Sequence, residues 1–129
     1  MKYLFDNDIS PRFAQMLRAL EIDVVALREI MPADTKDADF LGDLKRRHSI
    51  DVFISNNSAQ RTNRIEAALL KSSGVTALYF NPFWGSLRLW GQAKWLINHW
   101  EKIEGFVRGA APGTCADIQA RGRLSLYRW

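Results

Sequence analysis

Carboxylates and amides stand at three places in this sequence where a predicted strand ends or a predicted helix begins. Asp6 and Asp8 follow the first strand, Asp37 and Asp39 open a helix, and Asn57 follows the third strand. Carboxylates that meet at one place repel one another, and a bound Mg²⁺ or Mn²⁺ ion removes this cost. Such an ion also activates water and neutralises a scissile phosphate. These residue types therefore predict a divalent-cation site that acts on a phosphodiester.

All but one of these side chains also have a purely structural explanation. Asp8 fits a turn before Ser10, Asp37 fits a favourable charge at a helix N-terminus, and Asn57 fits the end of a turn. Asp6 differs, because an acid directly after a buried strand carries a desolvation cost that a turn former does not need to carry. Asp6 is therefore the acid that most favours a functional site, and the others stay open between the two explanations.

Three arginines are predicted to lie near the same rim, namely Arg12, Arg61 and Arg64. Guanidinium groups bind phosphates and thereby position a nucleic-acid backbone. The chain has 18 Lys and Arg residues against 14 Asp and Glu residues, which gives a net charge of +4. This balance allows a polyanionic partner.

The composition excludes several other classes of protein. Apolar residues make up 47% and charged residues 25% of the chain, which is typical of a soluble globular protein. One cysteine forms no internal disulfide, and two histidines are too few for a zinc cluster. No apolar run is long enough to span a bilayer, and the N-terminus lacks the order of a signal peptide. We expect one domain over residues 1–129 and a cytoplasmic location.

The pattern of apolar residues and breakers predicts strands that alternate with helices. Predicted strands cover residues 2–5, 22–27, 51–55 and 75–80. Predicted helices cover residues 11–20, 63–72 and 86–108, and a further helix follows Thr35. Strands and helices that alternate through short connections indicate an α/β fold with a mostly parallel sheet. In such a fold the polar side chains at the carboxyl ends of the strands gather in one crevice.

Local signals support several of these boundaries. Ser10 and Pro11 are typical of a helix N-terminus, Thr35 is a possible N-cap, and Gly74 is typical of a helix end. The last long helix is rich in tryptophan, and its apolar residues recur every three or four positions, which indicates a buried stripe. Two short β-like pieces, residues 115–119 and 124–129, predict a hairpin around Gly122.

Three segments resemble one known family. The opening YLFDNDISPRFAQMLRALEIDVVALREI is similar to the start of PIN-like domains, the nuclease fold of VapC-type toxins. MPADTKDADFL resembles the second acidic segment of the same branch, and DVFISNNSAQRTNRIEAALLKSSGV resembles its third strand and following helix. The resemblance fades after about Ala110. It implies a PIN-like, Rossmann-type α/β/α sandwich with a mostly parallel central sheet and a long C-terminal Trp-rich helix.

The resemblance also implies a function, a metal and partners. It implies an Mg²⁺- or Mn²⁺-dependent endoribonuclease that acts on RNA as the toxin of a toxin–antitoxin system, with a cognate antitoxin protein. By position, Asp6 is the first metal acid, and Asp39 or its neighbour Asp37 is the second. Asp8 is a further possible ligand. A homodimer through the tryptophan-rich helix is also expected.

Asn57 departs from the pattern of this branch, whose members commonly have an acid after the third strand. An amide oxygen can bind a cation, but it brings no negative charge and is no general base. Two hypotheses follow. In the first, Asp6 and Asp39 hold the metal, and Asp37 or Asp8 assists through water. Asn57 positions a ligand or water, and Arg61 and Arg64 hold RNA. In the alternative, the protein is a catalytically impaired PIN-like protein that acts as an RNA- or protein-binding module.

Overall fold

The computed structural model describes all 129 residues, which form six strands and seven α-helices. The strands are β1 (Tyr3–Phe5), β2 (Val24–Ala26), β3 (Val52–Ser55), β4 (Thr76–Phe80), β5 (Cys115–Ile118) and β6 (Leu124–Tyr127). The helices are α1 (Pro11–Ala19), α2 (Leu27–Ile30), α3 (Asp37–Phe40), α4 (Leu44–His48), α5 (Arg64–Ser73), α6 (Phe83–Ser86) and α7 (Leu89–Gly109). Two 3₁₀ turns cover Leu41–Asp43 and Ser58–Arg61.

One six-stranded sheet lies at the centre of the molecule, in the order β2-β1-β3-β4-β5-β6. β1 pairs in parallel with β2 on one side and with β3 on the other, and parallel pairing continues through β4 to β5. β6 is antiparallel to β5, so the predicted hairpin is confirmed. The mostly parallel α/β sheet is confirmed as well. The sequence did not show that β5 joins the main sheet beside β4.

Helices cover both faces of this sheet. Side chains alternate along each strand, so Tyr3 and Phe5 of β1 face one core and Leu4 faces the other. The first core contains residues of α1, α6 and α7, and the second contains residues of α2 to α5 and the Leu41–Asp43 turn. The strands are buried on both faces, as expected for a parallel sheet, and the result is an α/β/α sandwich.

The second strand is shorter than predicted. It ends at Ala26, and Leu27 begins α2 instead of extending the strand. The Glu29 carboxylate accepts a hydrogen bond from the Ala26 N–H at 2.7 Å and pairs with Arg18, also at 2.7 Å. These contacts turn the chain into a helix directly after the strand, and sequence alone did not reveal them.

The helix predicted after Thr35 is broken into pieces. Its first turn is α3, and the cap position is Lys36, which makes no side-chain cap bond, so the prediction of Thr35 as the cap is wrong. The break falls at Gly42, a residue type that weakens a helix interior. A Cβ at Gly42 would lie 3.0 Å from Leu69 Cδ2 of α5, so the glycine permits close packing of the two segments.

The long helix α7 follows the predicted stripe over most of its length. Leu96, Trp100, Ile103 and Val107 are buried, whereas Leu89 at its first position is largely exposed. The helix begins three residues later than predicted, because residues 83–86 form the separate short helix α6. None of the helices combines the length and apolar character that crossing a membrane requires.

Candidate active site

The order of the strands creates a crevice at the carboxyl ends of β1 and β3. The chain passes from β1 to β2 on one side and later returns to β3 on the other side of β1. Ligand sites of open α/β sheets form at such a switch point, because the two connections leave in opposite directions. Asp6 follows β1 and Ser55 ends β3, so both side chains lie in this crevice.

Asp6 is buried at the floor of the crevice, with 6% of its surface exposed. Its carboxylate accepts hydrogen bonds from Ser55 Oγ at 2.8 Å, from Gln60 Nε2 at 3.2 Å and from the Asn7 N–H at 2.8 Å. Burial raises the pKa of Asp6, and these donors oppose the rise. The nearby charge of Asp37 raises this pKa further.

Asp8 shares the same hydroxyl group. Its carboxylate lies 3.4 Å from Ser55 Oγ and accepts from the Asn56 N–H at 3.1 Å. Burial of the carboxyl group and, after it, the charge of Asp6 raise the pKa of Asp8 to about 6. The single hydroxyl proton of Ser55 can serve only one carboxylate at a time, and the shorter distance favours Asp6. The repulsion between the two acids is therefore only partly relieved.

Gln60 joins Asp6 to Asp37. This glutamine is 1% exposed and lies in the 3₁₀ turn Ser58–Arg61. Its amide nitrogen donates to Asp6 at 3.2 Å and to Asp37 at 2.9 Å, and its amide oxygen accepts from the Tyr79 hydroxyl at 3.3 Å. The sequence analysis missed Gln60, since a glutamine in a polar turn carries no signal of burial.

Glu66 of α5 is a further acid near this group. It is half-buried, and burial raises its pKa, followed by the charges of Asp37 and Asp6. The sequence analysis missed Glu66 too. Its position in the first turn of the helix after β3 could have indicated a role at the site. The first turns of such helices lie at the same end of the sheet as Asp6.

Asp39 and Asn57 take other positions. Asp39 is exposed on α3 and none of the side-chain hydrogen bonds involves it, so Asp37 is the member of this acidic pair that contacts the group. The side chain of Asn57 is exposed and makes no hydrogen bond. Its backbone N–H donates to Ser55 Oγ at 2.9 Å, and its carbonyl accepts from the Gln60 N–H at 3.2 Å. Asn57 therefore contacts the site through its backbone.

The three arginines are also in different environments. Arg61 is half-buried, pairs with Asp117 and stacks over the Tyr127 ring at 3.8 Å. Arg12 and Arg64 are exposed and make no ion pair, so both remain free to meet a phosphate. A fourth arginine, Arg28, lines a cavity of about 120 Å³ that also contacts Asp6. The sequence analysis did not single out Arg28.

The residue types in the crevice are suitable ligands for a hard divalent cation. Asp6, Asp8, Asp37 and Glu66 offer carboxylate oxygens, the ligands that Mg²⁺ and Mn²⁺ prefer. Their arrangement differs from that of a formed metal site. Nowhere in the structure do three Asp, Glu, His or Cys side chains lie close enough together to bind one ion. The Gln60 amide nitrogen occupies the space between Asp6 and Asp37. These two acids can share a cation only when this amide moves aside.

Comparison with known proteins agrees with the fold. A family model described as PIN like domain matches residues 1–82, which include β1 to β4 and every acid of the crevice. No curated protein and no solved structure gives a significant match. The match covers well over half of the 129 residues, and the mostly parallel sheet and the long C-terminal helix agree with a PIN-like, Rossmann-type fold. This chain belongs to the PIN-like domain family, whose fold is associated with nucleases.

Proposed function

We propose that this protein is an Mg²⁺- or Mn²⁺-dependent endoribonuclease and the toxin of a toxin–antitoxin pair. The observation that carries the proposal is the convergence of Asp6, Asp8 and Asp37 through Ser55 and Gln60 at the switch point of the sheet. Besides burial, the charge of Asp37 raises the pKa of Asp6 and the charge of Asp6 raises the pKa of Asp8, and a cation would relieve that cost. Membership of the PIN-like family supports the nuclease assignment.

The residues of the crevice have distinct roles in this proposal. Asp6 and Asp37 hold the metal, with Asp8 and Glu66 beside them; Asp39 stays an alternative to Asp37 that no contact favours. When bound, the cation supplies an activated water and neutralises the scissile phosphate. Ser55 orients the Asp6 carboxylate, with which it shares a 2.8 Å hydrogen bond.

The partners follow from the same proposal. The substrate is RNA, held by Arg12 and Arg64 with Arg28 near Asp6, and a cognate antitoxin neutralises the enzyme in the cytoplasm. Arg61, whose guanidinium pairs with Asp117, also contacts the RNA backbone in this proposal. Asn57 orients a ligand or water with its free side-chain amide.

The first prediction concerns the acids. Purified wild-type protein incubated with structured RNAs and Mn²⁺ should cleave them, and Asp6→Asn should lower the rate at least about 100-fold, because a metal ligand is lost. Asp37→Asn should also lower it strongly, whereas Asp39→Asn on the same helix should not, and the reverse result would make Asp39 the ligand. Gel analysis of end-labelled RNA measures the rates. Cleavage that survives Asp6→Asn would show that a contaminant or another site is responsible.

One observation favours a second function, an impaired PIN-like protein that binds RNA or a protein without cleaving. The third acid of the branch is replaced by Asn57, and the neutral Gln60 amide bridges the two acids that should share a cation. Asn57→Asp distinguishes the two functions. If only this variant binds Mn²⁺ in calorimetry and cleaves RNA, the protein is the impaired form; if the wild type cleaves, it is the enzyme.

A further inference from the structure

A basic groove runs along α5 on the side of the helix away from the acids. It has a volume of about 350 Å³. Its lining residues are Arg61, Thr62, Arg64, Ala67, Ala68, Lys71 and Trp129. It thus combines three cations with one large aromatic ring and contains no acid.

Two cations of the groove are spaced so that they can contact successive negative charges of an extended ligand. Arg64 and Lys71 are exposed, and neither forms an ion pair. They are seven positions apart on α5, so they project from the same face about two turns, or about 10 Å, apart. Between them, Ala67 and Ala68 line the groove with short side chains and leave room for an extended chain.

The aromatic wall of the groove is held in place before any ligand binds. The Trp129 indole N–H donates to the Gly113 carbonyl at 3.1 Å, and its ring remains partly exposed. Beside it, the Arg61 guanidinium is fixed by Asp117 and by the Tyr127 ring. A ring held in one orientation loses little conformational entropy when a base stacks on it.

The groove and the acidic crevice are linked by one step of the chain. Gln60, which contacts Asp6 and Asp37, is followed directly by Arg61 of the groove. Helix α5 has Glu66 near the acids on one side and Arg64 on the side of the groove. The end of the groove formed by Arg61 is therefore the end nearer to the acids along the chain.

We propose that this groove binds single-stranded RNA next to the scissile bond, with Arg64 and Lys71 on backbone phosphates and Trp129 stacked on a base. The choice of RNA rests on the proposed function, whereas the single-stranded character rests on the combination of exposed cations with a fixed ring. Stacking on an aromatic ring needs an unpaired base, and a paired duplex does not offer one.

The test measures binding without cleavage. Fluorescence anisotropy with a dye-labelled single-stranded RNA in EDTA gives the Kd at several salt concentrations. Arg64→Glu combined with Lys71→Glu should weaken binding at least about tenfold and reduce the slope of log K against log salt by about 1.4, the value for two lost phosphate contacts. Lys94→Glu, an exposed lysine on the opposite face of the sheet, is the control for reversal of one charge, and it is compared with Arg64→Glu and Lys71→Glu as single variants.

A second pair of variants tests the ring. Trp129→Ala should weaken binding about tenfold, and Trp129→Phe should recover most of the loss, because stacking requires only an aromatic face. Thermal melts of all variants show that they are folded. Unchanged affinity and salt slope in the double variant, an equal loss in Lys94→Glu, or tighter binding of duplex RNA than of single strands would each overturn the proposal. RNA binding that depends on the groove while the wild type fails to cleave would uphold the groove and contradict the nuclease alone.

Discussion

A buried carboxylate is harder to ionise than one in water, and a second carboxylate nearby adds to this effect at Asp6 and at Asp8. Both have a raised pKa, and for both burial is the largest cause. Ser55 lies between them with one proton to donate. The crevice of the metal-free protein therefore holds unrelieved negative charge at neutral pH, which is the electrostatic state that favours uptake of a cation.

The second prediction concerns the pH dependence of stability. The pKa of Asp8 is about 6 in the folded protein against an ordinary value of 3.8, so the folded state binds the proton more tightly than the unfolded chain. The stability of the metal-free protein should therefore fall as the pH rises from about 4 through about 6. In thermal melts with EDTA, Asp8→Asn should raise Tm at about pH 7.5 and have little effect near pH 4, where Asp8 is protonated. Parallel pH profiles for wild type and variant would contradict this assignment.

Sequence predicted some of these residues and not others, for a physical reason. An acid directly after an apolar strand can be read from neighbours in the chain, and Asp6 lies in the crevice as expected. Gln60 and Glu66 become site neighbours only through packing of the segment after β3 against the acidic segment before it. The Arg61–Asp117 pair joins positions 56 residues apart, and no local pattern specifies such a partner.

At the scale of elements, α5 links the acidic crevice to the basic groove. Its start is fixed by Asn63, whose side-chain oxygen accepts from the N–H groups of Ile65 and Glu66 at 3.0 and 3.1 Å. Its end is fixed by Gly74 in the left-handed conformation, as the sequence predicted. Asn63 and Gly74 thus fix the ends of the helix, and Glu66 lies in its first turn, near the acids.

The third prediction tests this cap. Asn63→Ala should lower the free energy of unfolding by about 1 kcal/mol, because two N–H groups of the helix lose their acceptor. Asn63→Asp should restore most of it, since aspartate is an equally good N-cap. Urea denaturation followed by circular dichroism measures both variants. Equal losses in Asn63→Ala and Asn63→Asp would show that the hydrogen bonds of the cap are not what stabilises the helix.

Elements were predicted well where the signal was local and less well where it depended on packing. The stripe of α7 and the start of α1 follow from residue spacing and from Ser10 and Pro11. The break at Gly42 depends on the approach of Leu69 from another helix, and the place of β5 depends on pairing with β4. Neither interaction is visible in a single stretch of sequence.

On the scale of the whole molecule, both faces of the sheet are covered, yet α7 leaves apolar side chains in contact with solvent. Trp90 is 74% exposed, Ile97 is 55% exposed and Leu89 is 43% exposed. Trp90 and Ile97 are seven positions apart, so they lie on one face of the helix. A second copy of the chain would bury this face, in agreement with the homodimer expected from the tryptophan-rich helix.

The fourth prediction follows from that face. Sedimentation velocity should show a dimer of the wild-type protein at micromolar concentration, and Trp90→Glu should give a monomer with an unchanged circular-dichroism spectrum, because the side chain is outside the core. Ile65→Glu, at an exposed residue of α5, is the control for the added charge. A monomeric wild type would contradict the homodimer. The exposed face of α7 would then be available to bind the proposed antitoxin.

Helix α7 also determines the order in which the acids and their supporting core are made during synthesis. The acids lie between Asp6 and Glu66, so the ribosome makes all of them before the first residue of α7. One face of the sheet stays uncovered until Leu96, Trp100, Ile103 and Val107 arrive, and β4 has no partner on its outer side until β5 is made. A nascent chain thus carries the complete set of acids without the core that holds them together. If the chain is the nuclease proposed above, we expect no cleavage by a truncated chain that lacks α7 and β5.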